Sequence, residues 1–150
     1  MKSEYEGVVT YVDSGRPTDY LFRVSLNALI KNDKGEVLVV KESGRDFWDL
    51  PGGGMDHGED IKSALARELH EEVNMTCDFT YELVCVDSPE VLMSRPIWQL
   101  RIVYEVKPDT MEFKPGKDGD EVKFVDPEIF NSGNSQYRES KIYEYIQLIT

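Results

Sequence analysis

A chain of 150 residues, 40% hydrophobic and 31% charged, has the material for one domain with its own core and too little for two. That apolar share also excludes a disordered chain. The formal charge of −12 argues against nonspecific binding to a nucleic-acid backbone or an anionic membrane, yet leaves phosphate chemistry open wherever a divalent cation inverts the local sign.

In chain order, a short strand is expected over residues 7–12. Residues 23–31 then alternate, with Val24, Leu26, Ala28 and Ile30 on one side and Ser25, Asn27 and Lys31 on the other, the pattern of a half-buried strand. Asn32 to Gly35 supplies turn chemistry, and the apolar run inside 36–41 completes a predicted hairpin. A polar loop, 42–46, leads through Phe47-Trp48-Asp49-Leu50-Pro51 into three glycines, Gly52 to Gly54. A helix is predicted over 60–73, its core stripe being Ile61, Ala64, Leu65, Leu69 and Val73. Strands follow at 79–86 and 97–106, the second with Trp98, Leu100, Ile102, Tyr104 and Val106 on one face. A flexible loop over 114–120, a short strand over 121–125 and a helix start at Asp126-Pro127-Glu128 come next. Ile142, Tyr145, Ile146 and Ile149 mark a final amphipathic helix, so the order predicts an α/β fold with a mixed sheet and helices on its faces.

Two cysteines, Cys77 and Cys85, cannot build a disulfide scaffold and form no CxxC pair; they read as packing or surface thiols in a reducing compartment. Met1 to Glu6 carry no apolar run of a secretory signal, and no segment approaches the roughly 20 apolar residues of a membrane span, so a cytoplasmic location is expected.

The predicted helix also carries Glu68, Glu71 and Glu72 at i, i+3 and i+4, on one face. Like charges at that spacing repel, and Arg67 alone cannot neutralise them; Glu59 adds a further carboxylate near the helix start. Charged helical residues are ordinarily a solvated face, but that reading does not account for the adjacent Arg67-Glu68 or the glycine turn just upstream. Hard oxygen ligands converging on one place suit Mg²⁺, with Mn²⁺ as the other candidate, and Mg²⁺ commonly binds together with substrate phosphates. His57 and His70 fit no HExxH motif, and Asp118-Gly119-Asp120 lacks the ligand spacing of a calcium loop and reads as a turn.

Gly53, five residues, Glu59, seven residues, then Arg67-Glu68-Leu69-His70-Glu71-Glu72 resembles the Nudix box, with Asn74 where that family usually has Gly. Asn is the next most tolerant residue for a left-handed helix end, so the departure is mild. The resemblance implies an α/β/α sandwich, a single domain over 1–150, and Mg²⁺-dependent hydrolysis of a phosphoanhydride in a nucleoside diphosphate linked to another group. The metal ligands it implies are Glu71, Glu72 and the Gly53 carbonyl, with Glu68 as a further ligand or the general base. Arg67 would orient Glu68 and Glu59, and Glu121 would be a second candidate for base or extra ligand. Lys41 and Arg45 are candidates to meet a phosphate. Phe47, Trp48, Trp98 and Tyr104 are candidates to stack a base, although the periodicity of Trp98 and Tyr104 favours core. The expected substrate is a nucleoside triphosphate or similar small-molecule nucleotide. The alternative is a nucleotide sensor of this fold without turnover, against which the crowded glutamates speak. Relatives are often dimers, so a homodimer is a further expectation, with no residue here to mark its interface.

Overall fold

The computed structural model describes residues 22–91 and 97–150; the strand expected over 7–12 lies outside them. In chain order the elements are β1 (Phe22–Leu29), β2 (Val37–Glu42), β3 (Gly52–Gly54), α1 (Ile61–Val73), β4 (Phe79–Val86), β5 (Glu90–Val91), β6 (Trp98–Pro108), β7 (Gly119–Val125), a 3₁₀ turn (Pro127–Phe130) and α2 (Tyr137–Gln147). β1 runs parallel to β6, from Phe22 opposite Trp98 to Leu29 opposite Glu105, and antiparallel to β3. With β4 and β5 both antiparallel to β6, this makes a mixed sheet in the order β3-β1-β6-β4, while β2 and β7 pair separately.

Two apolar clusters explain the layering. On one side Leu26, Ala28, Leu38 and Val40 pack with Ala64, Leu65, Leu69 and Val73 of α1. On the other, Leu29, Val37, Val39 and Val103 pack with Ile142, Tyr145 and Ile146 of α2. The strands thus lie between one helix on each face, an α/β/α arrangement. Cys77 and Cys85 are unpaired thiols, one packed against each cluster. No helix among the described residues is long and apolar enough to cross a membrane.

The predicted hairpin forms only at its tip. Asn32 Oδ1 accepts from the amides of Lys34 and Glu36 at 3.0 and 2.9 Å, and one bridge joins Lys31 to Val37. β2 then leaves β1 for β7, because Val37 and Val39 face one cluster while Leu38 and Val40 face the other. A run buried on both faces belongs between two cores, not at the edge of a hairpin. The expectation of a half-solvated β1 also needs correction, since Ser25 and Asn27 are buried. Trp98, expected in the core, is half exposed.

α1 has clear ends. The Asp60 side chain accepts from the Ser63 amide at 2.8 Å, and Asn74 closes the helix in the left-handed region at φ 55°, donating to the His70 carbonyl at 3.1 Å. The loop before β7 is fastened to the same helix end: the amides of Lys114, Gly116 and Asp118 donate to the carbonyls of Val73, Glu72 and Glu71 at 3.2, 3.0 and 2.9 Å. Carbonyls at a helix C-terminus lack intrahelical partners, and this loop supplies three. It is held in place rather than flexible.

Candidate active site

Arg67 organises the carboxylates from the middle of α1. Its Nε and Nη2 donate to Glu59 Oε2 and Oε1 at 2.7 and 2.9 Å, a bidentate pair. Nη2 also reaches the Gly54 carbonyl at 2.9 Å, and Nη1 donates to Glu68 Oε1 at 2.8 Å and Glu71 Oε2 at 3.4 Å. One guanidinium therefore ties the glycine strand to three carboxylates, and those partners hold its charge more firmly than usual.

Glu68 and Glu72 are buried at 9% and 3% exposure. Burial raises the Glu68 pKa above the usual carboxylate range, partly offset by Arg67. Burial, reinforced by the neighbouring Glu42 carboxyl, pushes Glu72 up to about 10, against the opposing effect of the Gly52 amide, which donates to Glu72 Oε2 at 2.7 Å. Gly53 makes room for the Glu68 carboxylate: a Cβ there would fall 2.6 Å from Glu68 Oε1. Among the described residues no three His, Cys, Asp or Glu side chains already meet at one point. The donor set still fits a hard divalent cation, because its oxygens crowd a side-chain-free backbone and one arginine leaves their charge uncompensated.

These groups open onto a cavity of about 430 Å³, lined on its acidic side by Gly53, Glu68, Glu71, Glu72, Glu42 and Asp118. Of the expected substrate contacts, Arg45 lines the cavity, paired with Glu42 at 3.0 Å. Lys41 and Trp48 do not line it. The Trp48 ring has the ammonium groups of Lys41 and Lys123 over it, 5.1 and 4.4 Å from its centroid, and packs against the α2-side cluster. Glu121 is likewise outside the cavity, exposed on β7 opposite Lys41; Glu42 and Asp118 are the carboxylates that β2 and the β7 loop bring there. Arg67 and Glu59 stand behind the carboxylates as a brace.

The cavity's remaining wall went unread in the sequence: Arg23, Ser25 and Asn27 of β1, Gln99 and Arg101 of β6, and Asp49. Asp49 is buried and accepts from Arg138 Nε and Nη2 at 3.2 and 3.4 Å. The signal was the polar half of the β1 alternation, together with Gln99 and Arg101 at alternate positions of β6. Both look like solvated faces until the strands are paired.

A family model described as the NUDIX domain matches residues 21–146. Over 55 residues, 37% of this chain, it is 44% identical to an RNA pyrophosphohydrolase of Ruthia magnifica subsp. Calyptogena magnifica and 42% identical to one of Actinobacillus pleuropneumoniae serotype 5b (strain L20). The aligned stretch spans 31% and 27% of those two proteins, under a third of their length. Among solved structures, a MutT protein from Methanosarcina mazei Go1 is similar at a TM-score of 0.70 and 24% identity, covering 87% of this chain and 96% of that one. The NUDIX domain of Shewanella oneidensis NrtR, complexed with ADP ribose, is similar at 0.67 and 17%, covering 91% and 92%. At such identities the likeness is one of fold. Because the family model runs over residues 21–146, taking in both apolar clusters and the glycine–carboxylate site, this chain belongs to the Nudix family.

Proposed function

We propose that the chain hydrolyses a phosphoanhydride bond in a nucleoside diphosphate linked to another group, most simply a nucleoside triphosphate or similar small nucleotide, in a reaction dependent on Mg²⁺, with Mn²⁺ able to replace it. The observation that carries this reading is the pair of buried carboxylates, Glu68 and Glu72, crowded against the glycine strand with less positive charge than they need. The Gly53 carbonyl, Glu71 and Glu72 would hold the cation, with Glu68 beside them. When bound, a divalent cation supplies charge neutralisation on phosphoryl oxygens and activation of water. Glu68, with its raised pKa, is the proton acceptor for the attacking water; Glu121, exposed outside the cavity, is left without that role. Arg67 keeps Glu68 aimed through its hydrogen bond, and Glu59 fixes Arg67 in turn.

The names of the short-range relatives bring a second substrate class, an RNA carrying a pyrophosphate end, into consideration. The charge of −12 favours the small nucleotide. The test is a panel at saturating Mg²⁺ of nucleoside triphosphates, ADP-ribose, nucleotide sugars, dinucleoside polyphosphates, NADH and a 5′-triphosphorylated RNA, with phosphate and pyrophosphate detected. Metal-dependent turnover should appear, and Glu68→Gln should lower it by about 10²–10⁴-fold. Binding without any phosphate release would instead favour a sensor.

A further inference from the structure

The wall opposite the acidic helix is basic, and no step of the proposed hydrolysis uses it. In the parallel β1–β6 pairing Arg23 lies beside Gln99 and Ser25 beside Arg101, so these four side chains share one sheet face and line the cavity together. Arg101 is fixed on one side: Nη1 donates to Asn27 Oδ1, and the Asn27 amide is anchored on the Leu50 carbonyl at 2.9 Å. Its Nε is buried with no hydrogen-bond partner among the described residues. Asp49, the acidic group that most favours the Arg101 charge, is already engaged by Arg138, and burial outweighs it.

Arg23 is placed just as specifically. Its guanidinium lies on the backbone of Gly54, where a Cβ would fall 1.9 Å from Nη2 and 2.3 Å from Cζ. Arg23 has no hydrogen-bond or ion-pair partner among the described residues. β3 is an edge strand, and successive positions face opposite ways, so Glu68 meets Gly53 on one face while Arg23 meets Gly54 on the other. Only the thickness of a bare backbone separates acid from base. Two arginines with no carboxylate in hydrogen-bonding contact among the described residues, beside buried Ser25 and Gln99, make a cationic, donor-rich surface, and a neutral ligand would leave its charge uncompensated.

We infer that Arg101 and Arg23, with Ser25 and Gln99, form an anion cradle that holds a further phosphate of the substrate, beyond those engaged at the carboxylates. The preferred substrates are then diphosphates whose linked group carries further phosphate, not those linked to a neutral sugar. This rests on the hydrolase reading for the word substrate; the cradle itself does not.

The experiment has two arms, both on the full chain. With Mg²⁺, kcat/KM is compared for a nucleoside triphosphate and a nucleotide sugar in wild type, Arg101→Gln, Arg101→Lys and Arg23→Gln. Wild type should favour the triphosphate, and each Gln variant should cut that preference about tenfold, mainly through KM, with Arg101→Lys recovering part. With EDTA, inorganic tripolyphosphate binding is followed by titration calorimetry, and it should weaken about tenfold in both Gln variants. Arg23 is only half buried, so Arg23→Gln carries the test if Arg101→Gln fails to fold. Equal losses on both substrates, or tripolyphosphate binding indifferent to both arginines, would overturn the cradle. Arginine-dependent tripolyphosphate binding in a protein that hydrolyses nothing would uphold the cradle and overturn the hydrolase reading.

Discussion

Glu72 sits where an anion is unwelcome. With its folded pKa near 10 and an ordinary value of 4.5, it keeps its proton in the folded state across a pH range in which the unfolded chain has lost it. The folded state therefore binds more protons between those values, and stability falls as pH rises through that window. In EDTA, Tm should drop between about pH 6 and pH 9, and Glu72→Gln should remove most of that drop. A Tm curve identical in wild type and variant would show that Glu72 is not the group responsible. A cation that displaces the proton binds more tightly as pH rises, so the fold and the site titrate against each other.

Among the elements, α1 was the most legible. Its apolar stripe and its Asn74 end lie within a few residues of what they control, while Asp60, expected as the first helical residue, is the cap one position before the helix. The hairpin was only half legible, because what pulls β2 away from β1 is a partner some 80 residues on, and a Val-Leu-Val-Val run does not say which cores it will separate. The carboxylates and Arg67 were visible as a motif. Arg23 and Arg101 were not, because they become neighbours only when two strands far apart in the chain pair in parallel. Trp48 reads as a base-stacking ring, but its face is met by two lysines, one of them on β7. The most exacting element is β3, whose lack of side chains is a packing requirement. In Gly53→Ala the new methyl meets a carboxylate at 2.6 Å and must displace it. Its turnover should fall by about 10–100-fold while far-UV circular dichroism stays that of a folded protein, and wild-type rates would show that Glu68 moves at no cost.

At the scale of the whole molecule, a strongly acidic chain brings part of its charge to one cavity lined by Glu42, Glu68, Glu71, Glu72 and Asp118. A ligand that binds only the folded state raises stability by mass action, so Mg²⁺ at a hundred times its Kd should add about 2.7 kcal/mol and raise Tm measurably. Glu68→Gln and Glu72→Gln should both shrink the shift, and an undiminished shift in both would place the cation elsewhere. The three amides that cap α1 from the β7 loop carry a last consequence. They grip the backbone of the turn bearing Glu71 and Glu72, so that loop is a strain gauge for the site. Amide hydrogen exchange at Lys114, Gly116 and Asp118 should slow in concert when Mg²⁺ binds, reporting occupancy from a segment whose side chains need never touch the metal.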